Sequence, residues 1–206
     1  TYTLGKIRPE MEEELCRVLA DFVRIMEGYR VDDYRATASS AISEASNSLY
    51  VLGKIHQLTG FSVTVLSNSE QRFLSYKALA AMEDNFNKII EKGTAILDLD
   101  GGSFQISLFD KDALVTTQNI RMGSLRIRER LAGIQSETEH YEEMVEELIW
   151  NEVSSFKKMY LKDRKIENIM LIGDVFTDSV YQNIEEKTTK IISRENFNTW
   201  YEKIIR

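Results

Sequence analysis

The sequence predicts an α/β protein of two units, and three observations carry that prediction. Helical apolar patterns alternate with short β-branched segments up to about residue 87. From residue 94 onward the order changes to three strands in a row, Thr94–Phe109 (TAILDLDGGSFQISLF, two strands around an acidic glycine turn) and Ala113–Asn119. Between the two patterns lies a polar segment closed by glycine, Asn85–Gly93, so residues 1–90 and 91–206 are expected to be separate domains.

Taken in order, Pro9 and the acidic residues after it open a helix, since proline is tolerated in a first turn. Met11, Leu15, Val18, Leu19, Phe22, Ile25 and Met26 recur at helical spacing, and Gly28 closes it. Val31–Ala38 is expected to be a short strand, Ala41–Leu58 a helix ending near Gly60, and Phe61–Leu66 a second strand. Ser67 and Glu70 have capping-box spacing, which predicts a helix running to about Asn87. After the third strand of the meander, Gly123 precedes a helix carrying Leu125, Ile127 and Leu131. Ser136–Tyr160 reads as a long amphipathic helix with Tyr141, Met144, Val145, Leu148, Ile149, Phe156 and Met159 as its buried stripe, and its glutamates as a solvated face. Lys165–Ile172 is a further strand, followed by Gly173-Asp174 and a helix start. A last helix closes the chain, with Trp200 and Ile204 as core candidates. The layout βββ-α-α-β-α in the second half is that of a ribonuclease-H-like unit, and two such units make an actin-like fold.

Composition narrows the function classes. The 206 residues carry a net charge of −7, which disfavours a broad nucleic-acid surface because phosphate charge needs a basic field. No uninterrupted apolar run approaches a membrane span. The single cysteine, Cys16, lies on a helical pattern and is expected to be a small buried hydrophobe, and its solitude agrees with a reducing compartment. His56 and His140 are far apart, without the close N and S ligands that zinc requires. The expected location is the cytoplasm. The chain starts with Thr on a loop leading into a helix, which fits a fragment of a longer protein.

The chemistry concentrates at the turn inside Thr94–Phe109. Asp98 and Asp100 are delivered beside Gly101, Gly102 and Ser103. A glycine-rich turn between strands leaves backbone N–H groups that can form an anion-binding nest, and the carboxylates beside it suit a hard cation. The same pattern is also that of an ordinary Asp-Gly hairpin. Strand–Gly173–helix is a second place where N–H groups can face an anion, and equally an ordinary turn.

Five segments, in order, resemble the exopolyphosphatase / guanosine pentaphosphate phosphohydrolase family of the actin-like superfamily. Asp98–Ile106 (DLDGGSFQI) resembles the family's DIGGGSTEL, and Thr37–Ala45 (TASSAISEA) its TATSALRDA. Ser67–Leu79 (SNSEQRFLSYKAL) is similar to SGxEEARLIYLGV, Ile120–Ile127 (IRMGSLRI) to LPLGAVRL, and Gly173-Asp174-Val175 to a later glycine loop. The resemblance implies an actin-like fold with an incomplete first domain and a second domain with a βββαα-type mixed sheet. It implies a phosphate chain, polyphosphate or a guanosine polyphosphate, bound between the domains. It also implies Mg²⁺ near Asp98, phosphate contacts from Asp100, Gly101, Gly102, Ser103 and Gly173, and hydrolysis of a terminal phosphoanhydride by an activated water. A homodimer is a further possible arrangement.

The resemblance departs from the family at the site. The first loop glycine is Asp100, the glutamate after the loop is Gln105, and the arginine of the TATSALR segment is Ser43. The family's general base aligns with Gln71, leaving Glu70 as the neighbouring carboxylate. An amide cannot accept a proton from water near neutral pH, and losing a general base costs roughly 10²- to 10⁴-fold. The family's first phosphate loop, of DxGSNS type, would fall upstream of Thr1. These departures imply weakened or lost catalysis, with a non-catalytic phosphate- or nucleotide-sensing or scaffold protein on the same fold as the alternative.

Overall fold

The computed structural model describes residues 2–133, 140–173 and 193–205. The first unit begins with α1 (Pro9–Gly28), whose proline stands in the first turn. Then come β1 (Ala36–Ala38), α2 (Ser40–Ser43), α3 (Ser48–Thr59) and β2 (Val63–Val65). β1 and β2 pair in parallel, Ala36 beside Val63 and Ala38 beside Val65. Parallel neighbours need a crossover, here supplied by α2 and α3. Ile7, Cys16, Ala45, Val51, Ile55 and Phe61 make the buried core of this unit, so Cys16 is the small hydrophobe its helical position predicts. Beside it Lys54 forms an ion pair with Glu12, whose side chain is almost wholly buried.

The strands expected over Phe61–Leu66 and Lys165–Ile172 are shorter, Val63–Val65 and Asn168–Ile172, and three boundaries differ more. The strand expected over Val31–Ala38 forms only at Ala36–Ala38, because Asp32, Asp33 and Arg35 have no neighbouring strand to pair with among the described residues. The helix expected over Ala41–Leu58 is interrupted between Ser43 and Ser48, where the Asn47 side chain bonds both the N–H and the C=O of Ile7 at 2.9 and 2.8 Å. An asparagine that serves another segment's backbone competes with helix continuation. The helix expected to run to Asn87 is α4 (Asn68–Met82) followed by α5 (Phe86–Ile90), broken at Glu83, which is extended. α4 does open on the expected capping box: Ser67 accepts the Glu70 N–H, and the Glu70 carboxylate accepts the Ser67 N–H.

The second unit is a four-stranded mixed sheet in the order β5-β4-β3-β6, made of β3 (Thr94–Leu99), β4 (Phe104–Asp110), β5 (Ala113–Ile120) and β6 (Asn168–Ile172). β3–β4 and β4–β5 are antiparallel, while β6 lies parallel to β3. A meander joined to a parallel strand through α6 (Ser124–Leu131) and α7 (Tyr141–Tyr160) is the ribonuclease-H-like layout the sequence predicts. β4 is buried on both faces. On one face Phe104, Ile106 and Leu108 pack with Phe156 of α7; on the other Phe109 packs with Phe86, Ile90 and Ile96. Residues alternate across a strand, so one central strand serves two layers.

Of the stripe expected on α7, Phe156 is buried, Tyr141, Met144, Val145, Leu148 and Ile149 are half-buried, and Met159 is exposed. Glu142, Glu143, Glu146 and Glu147 are exposed, as a solvated face requires. α8 (Arg194–Ile205) ends the chain. The expected helix start at Ser136, the residues Asp174 and Val175, and the side chains of Trp200 and Ile204 lie outside the described residues. Among the described residues no helix is long and apolar enough to cross a membrane.

Candidate functional site

The turn between β3 and β4 is not the Asp-Gly hairpin of the primed type. Neither Gly101 nor Gly102 has positive φ; the tight turn with two left-handed residues is instead at Lys111 (φ 52°) and Asp112 (φ 61°), between β4 and β5. What demands glycine at the first turn is close approach. A Cβ at Gly101 would come within 2.8 Å of the Leu125 side chain, and one at Gly102 would collide with the Tyr2 and Ser40 hydroxyls. Gly123 sits directly against the Asp100 and Gly101 backbone for the same reason.

Two carbonyls of the turn are held by α6. The Gly101 oxygen accepts the N–H groups of Leu125 and Arg126 at 2.9 and 3.1 Å, orphan donors of the helix's first turn. The Gly102 oxygen accepts Arg126 Nε at 2.7 Å. In a trans peptide the N–H points opposite to the preceding C=O. The N–H groups of Gly102 and Ser103 therefore point away from α6, and neither has a hydrogen-bond partner among the described residues. Successive free N–H groups in a turn are what an anion-binding nest is built from. The Gly101 N–H is different: the Asp100 carboxylate accepts it at 2.6 Å.

Asp98 lies half-buried near the end of β3, and Asp100 follows its last residue, Leu99, as an exposed side chain. Asp98 accepts the Ser75 hydroxyl of α4 at 3.0 Å and lies opposite Gln105 in the β3–β4 ladder. Burial pushes the Asp98 carboxyl above its ordinary range; the Ser75 hydrogen bond opposes this, and the charge of Asp100 adds to it. One oxygen of Asp98 bonds Ser75 and one of Asp100 bonds Gly101, which leaves one oxygen on each for a cation. Mg²⁺ binds through one or two carboxylates plus phosphate oxygens and water, and a cation here would relieve the repulsion between the two aspartates. The donor set fits Mg²⁺ bound together with a phosphate ligand. An all-protein cage is not present: among the described residues there is no group of three or more His, Cys, Asp or Glu able to hold a metal.

Gly173 joins this end of the sheet. Its φ is 135°, and a Cβ there would strike the Leu99 carbonyl, so only glycine lets the end of β6 lie this close to the end of β3. Gln71 lies one helical turn before Ser75, on the same face of α4, and its buried Nε2 has no partner among the described residues. Glu70 is not brought to the turn. Its carboxylate holds Ser67, which lowers its pKa, and it lines a separate depression of about 340 Å³ with Arg35, Thr37, Leu66 and Phe73. Ser43 lies in α2, its hydroxyl 3.4 Å from the Ser40 carbonyl.

Arg126 lies inside the segment Ile120–Ile127 that resembles LPLGAVRL, but the sequence does not single it out for the site. Besides Gly102, its guanidinium bonds the Glu44 carboxylate at 2.8 Å and stacks 4.2 Å from the centre of the Tyr2 ring. A signal for it exists: a cation in a helix's first turn faces the positive end of the helix dipole, so it needs tertiary partners.

A profile of the Ppx/GppA phosphatase family matches residues 1–206. Among solved structures, an exopolyphosphatase from Cytophaga hutchinsonii superposes with a TM-score of 0.78 at 17% identity, covering 99% of this chain and 67% of that one. A Ppx/GppA family member from Aquifex aeolicus gives 0.66 at 18% identity, covering 97% and 64%. A bifunctional 3-dehydroquinate synthase/phosphatase of Fusobacterium nucleatum is 20% identical over 190 residues, 88% of this chain and 27% of that protein's length. The chain therefore spans about a quarter of that curated relative and about two thirds of the two solved structures. The two structural likenesses speak to the fold, which is actin-like.

Proposed function

Because the chain belongs to the Ppx/GppA phosphatase family, we propose that it binds a phosphate chain as its Mg²⁺ complex at the turn between β3 and β4, and hydrolyses it slowly or not at all. The observation that carries this reading is the pair of N–H groups at Gly102 and Ser103, without partners among the described residues and turned away from α6 by two anchored carbonyls. Asp98 and Asp100 would hold Mg²⁺, which supplies charge neutralisation for the phosphate oxygens. Ser103 and Gly173 lie at the same end of the sheet: Ser103 precedes Phe104, which pairs with Leu99, and Gly173 lies against the Leu99 carbonyl. The ligand class is a polyphosphate or guanosine polyphosphate, the chemistry that the family's phosphatase description and the exopolyphosphatase neighbour favour.

Slow turnover is supported by two features. The residue aligned with the family's general base is an amide, Gln71, and the adjacent carboxylate, Glu70, is committed to the helix cap. The test is to titrate the protein with inorganic tripolyphosphate and with guanosine pentaphosphate, with and without Mg²⁺, reading thermal stability and phosphate release. The reading expects an Mg²⁺-dependent rise in melting temperature, since a ligand of the folded state stabilises it by mass action. It expects little phosphate release. Absence of any stabilisation by either compound would overturn the binding site; rapid release would overturn the slow-turnover part.

A further inference from the structure

Arg126 stands at the meeting of three segments far apart in sequence. Its Nε holds the Gly102 carbonyl at 2.7 Å, its Nη2 holds Glu44 at the end of α2 at 2.8 Å, and its plane covers Tyr2. Tyr2 in turn lies 3.4 Å from the Ser40 hydroxyl, and both pack on Gly102. The Arg126 side chain is only 18% exposed, so neither contact is an incidental surface pairing. A guanidinium is planar and rigid, and a nitrogen bound to Glu44 constrains where Nε can point. The orientation of the Gly102–Ser103 peptide is thereby tied to the position of α2 in the first unit. Lysine, a single point donor on a flexible stem, cannot make both bonds in one plane.

We infer that Arg126 is a positioning residue, which sets the N–H face of the turn and couples that face to the first unit through Glu44. The coupling to an anion rests on the binding reading above. Where it operates, anion binding and the Arg126–Glu44 contact strengthen each other, because linkage between two equilibria is reciprocal. Arg126 needs no contact with the phosphate for this; it acts through the Gly102 carbonyl.

The test uses the full chain and the variants Glu44→Gln, Arg126→Lys and Arg126→Met, with two readouts. The first is hydrogen exchange at the Asp100 and Leu125 amides, which bond Ser103 and Gly101 within the turn. The second is affinity for inorganic tripolyphosphate with Mg²⁺. Glu44→Gln and Arg126→Lys are expected to speed exchange at both amides and to weaken binding by roughly three- to tenfold, less than a lost charged hydrogen bond because Arg126 acts on the anion only through the Gly102 peptide. The double variant Arg126→Met/Glu44→Gln should bind no more weakly than Arg126→Met alone. Unchanged exchange at both amides in folded Glu44→Gln and Arg126→Lys overturns the inference, as does full additivity in the double variant. If the parent protein binds no tripolyphosphate but exchange responds as expected, the binding reading fails and the positioning role stands. If the parent binds normally and exchange does not respond, the positioning role fails and the binding reading stands.

Discussion

The Asp100 carboxylate accepts the N–H of its neighbour Gly101 at 2.6 Å. An amide that would serve an incoming anion is already paired with an internal one. Replacing Asp100 by Gly or Asn should therefore raise affinity for tripolyphosphate in the absence of metal, by roughly three- to tenfold, through the freed donor and the removed charge. With Mg²⁺ present the gain should shrink or reverse, since a cation ligand is lost as well. Calorimetric titration with and without Mg²⁺ separates the two effects. Weaker metal-free binding by Asp100→Gly would show that the carboxylate does not compete for the site.

Asp98 carries a stability cost with a defined pH dependence. Its pKa is raised in the folded protein, chiefly by burial, so the native state holds a proton more tightly than the unfolded chain. Stability from this group then falls as pH rises from its unfolded value near 3.8 through the raised folded value, and the cost is complete above it. Asp98→Asn removes that cost while its amide oxygen can still accept from Ser75. The variant should melt at a higher temperature than the parent at neutral pH, with the advantage vanishing below about pH 3.8, and should lose Mg²⁺-dependent stabilisation. Equal melting temperatures at neutral pH would show that burying the Asp98 carboxylate carries no such cost.

The turn at Lys111–Asp112 offers a prediction independent of function. Both residues are left-handed, at φ 52° and 61°. Asp112→Gly relieves about 1–2 kcal/mol of left-handed strain and adds about 0.5–1 kcal/mol of unfolded-chain entropy. A net stabilisation of about 0.5–1 kcal/mol is expected in urea unfolding. A loss of stability would mean that the Asp112 side chain contributes more than its conformation costs.

Much of the fold was legible because each signal is local. The capping box at Ser67 and Glu70 forms as its spacing dictates, and the apolar alternation of Phe104–Phe109 marks the central strand. The misplaced boundaries arise where a tertiary partner decides. Asn47 leaves the helical pattern to serve the Ile7 backbone, and Asp32–Arg35 match a strand length with no strand beside them among the described residues. The site divides in the same way. Asp98, Asp100 and the glycines are contiguous and could be read from the sequence. Arg126 finds its partners 24 and 82 residues away, so no pattern around it names them. The sequence also left open whether the glycines serve a primed hairpin. That was decided only by the backbone, where the left-handed pair belongs to Lys111 and Asp112.

Gln71 allows the question of lost catalysis to be put to the chain itself. Its Nε2 is buried without a partner among the described residues, on the face of α4 that carries Ser75, the residue bonded to Asp98. Two substitutions pull this position in different directions. Gln71→Leu removes a buried unpaired donor and should stabilise the protein by about 1 kcal/mol, with no effect on phosphate release. Gln71→Glu places a carboxylate where the family resemblance puts the general base. Burial and the charges of Asp98 and Asp100 would raise its pKa, which suits a base near neutral pH but costs stability. If only the base is missing, Mg²⁺-dependent phosphate release from tripolyphosphate should rise by roughly 10²- to 10⁴-fold in Gln71→Glu. The gain should disappear when Asp98→Asn is added, because a carboxylate alone cannot offset the charge that builds on the transferred phosphoryl group. A folded Gln71→Glu protein that binds tripolyphosphate and still releases nothing would show that the site lacks more than its base, and Ser43 and Asp100 would then be the next positions to restore.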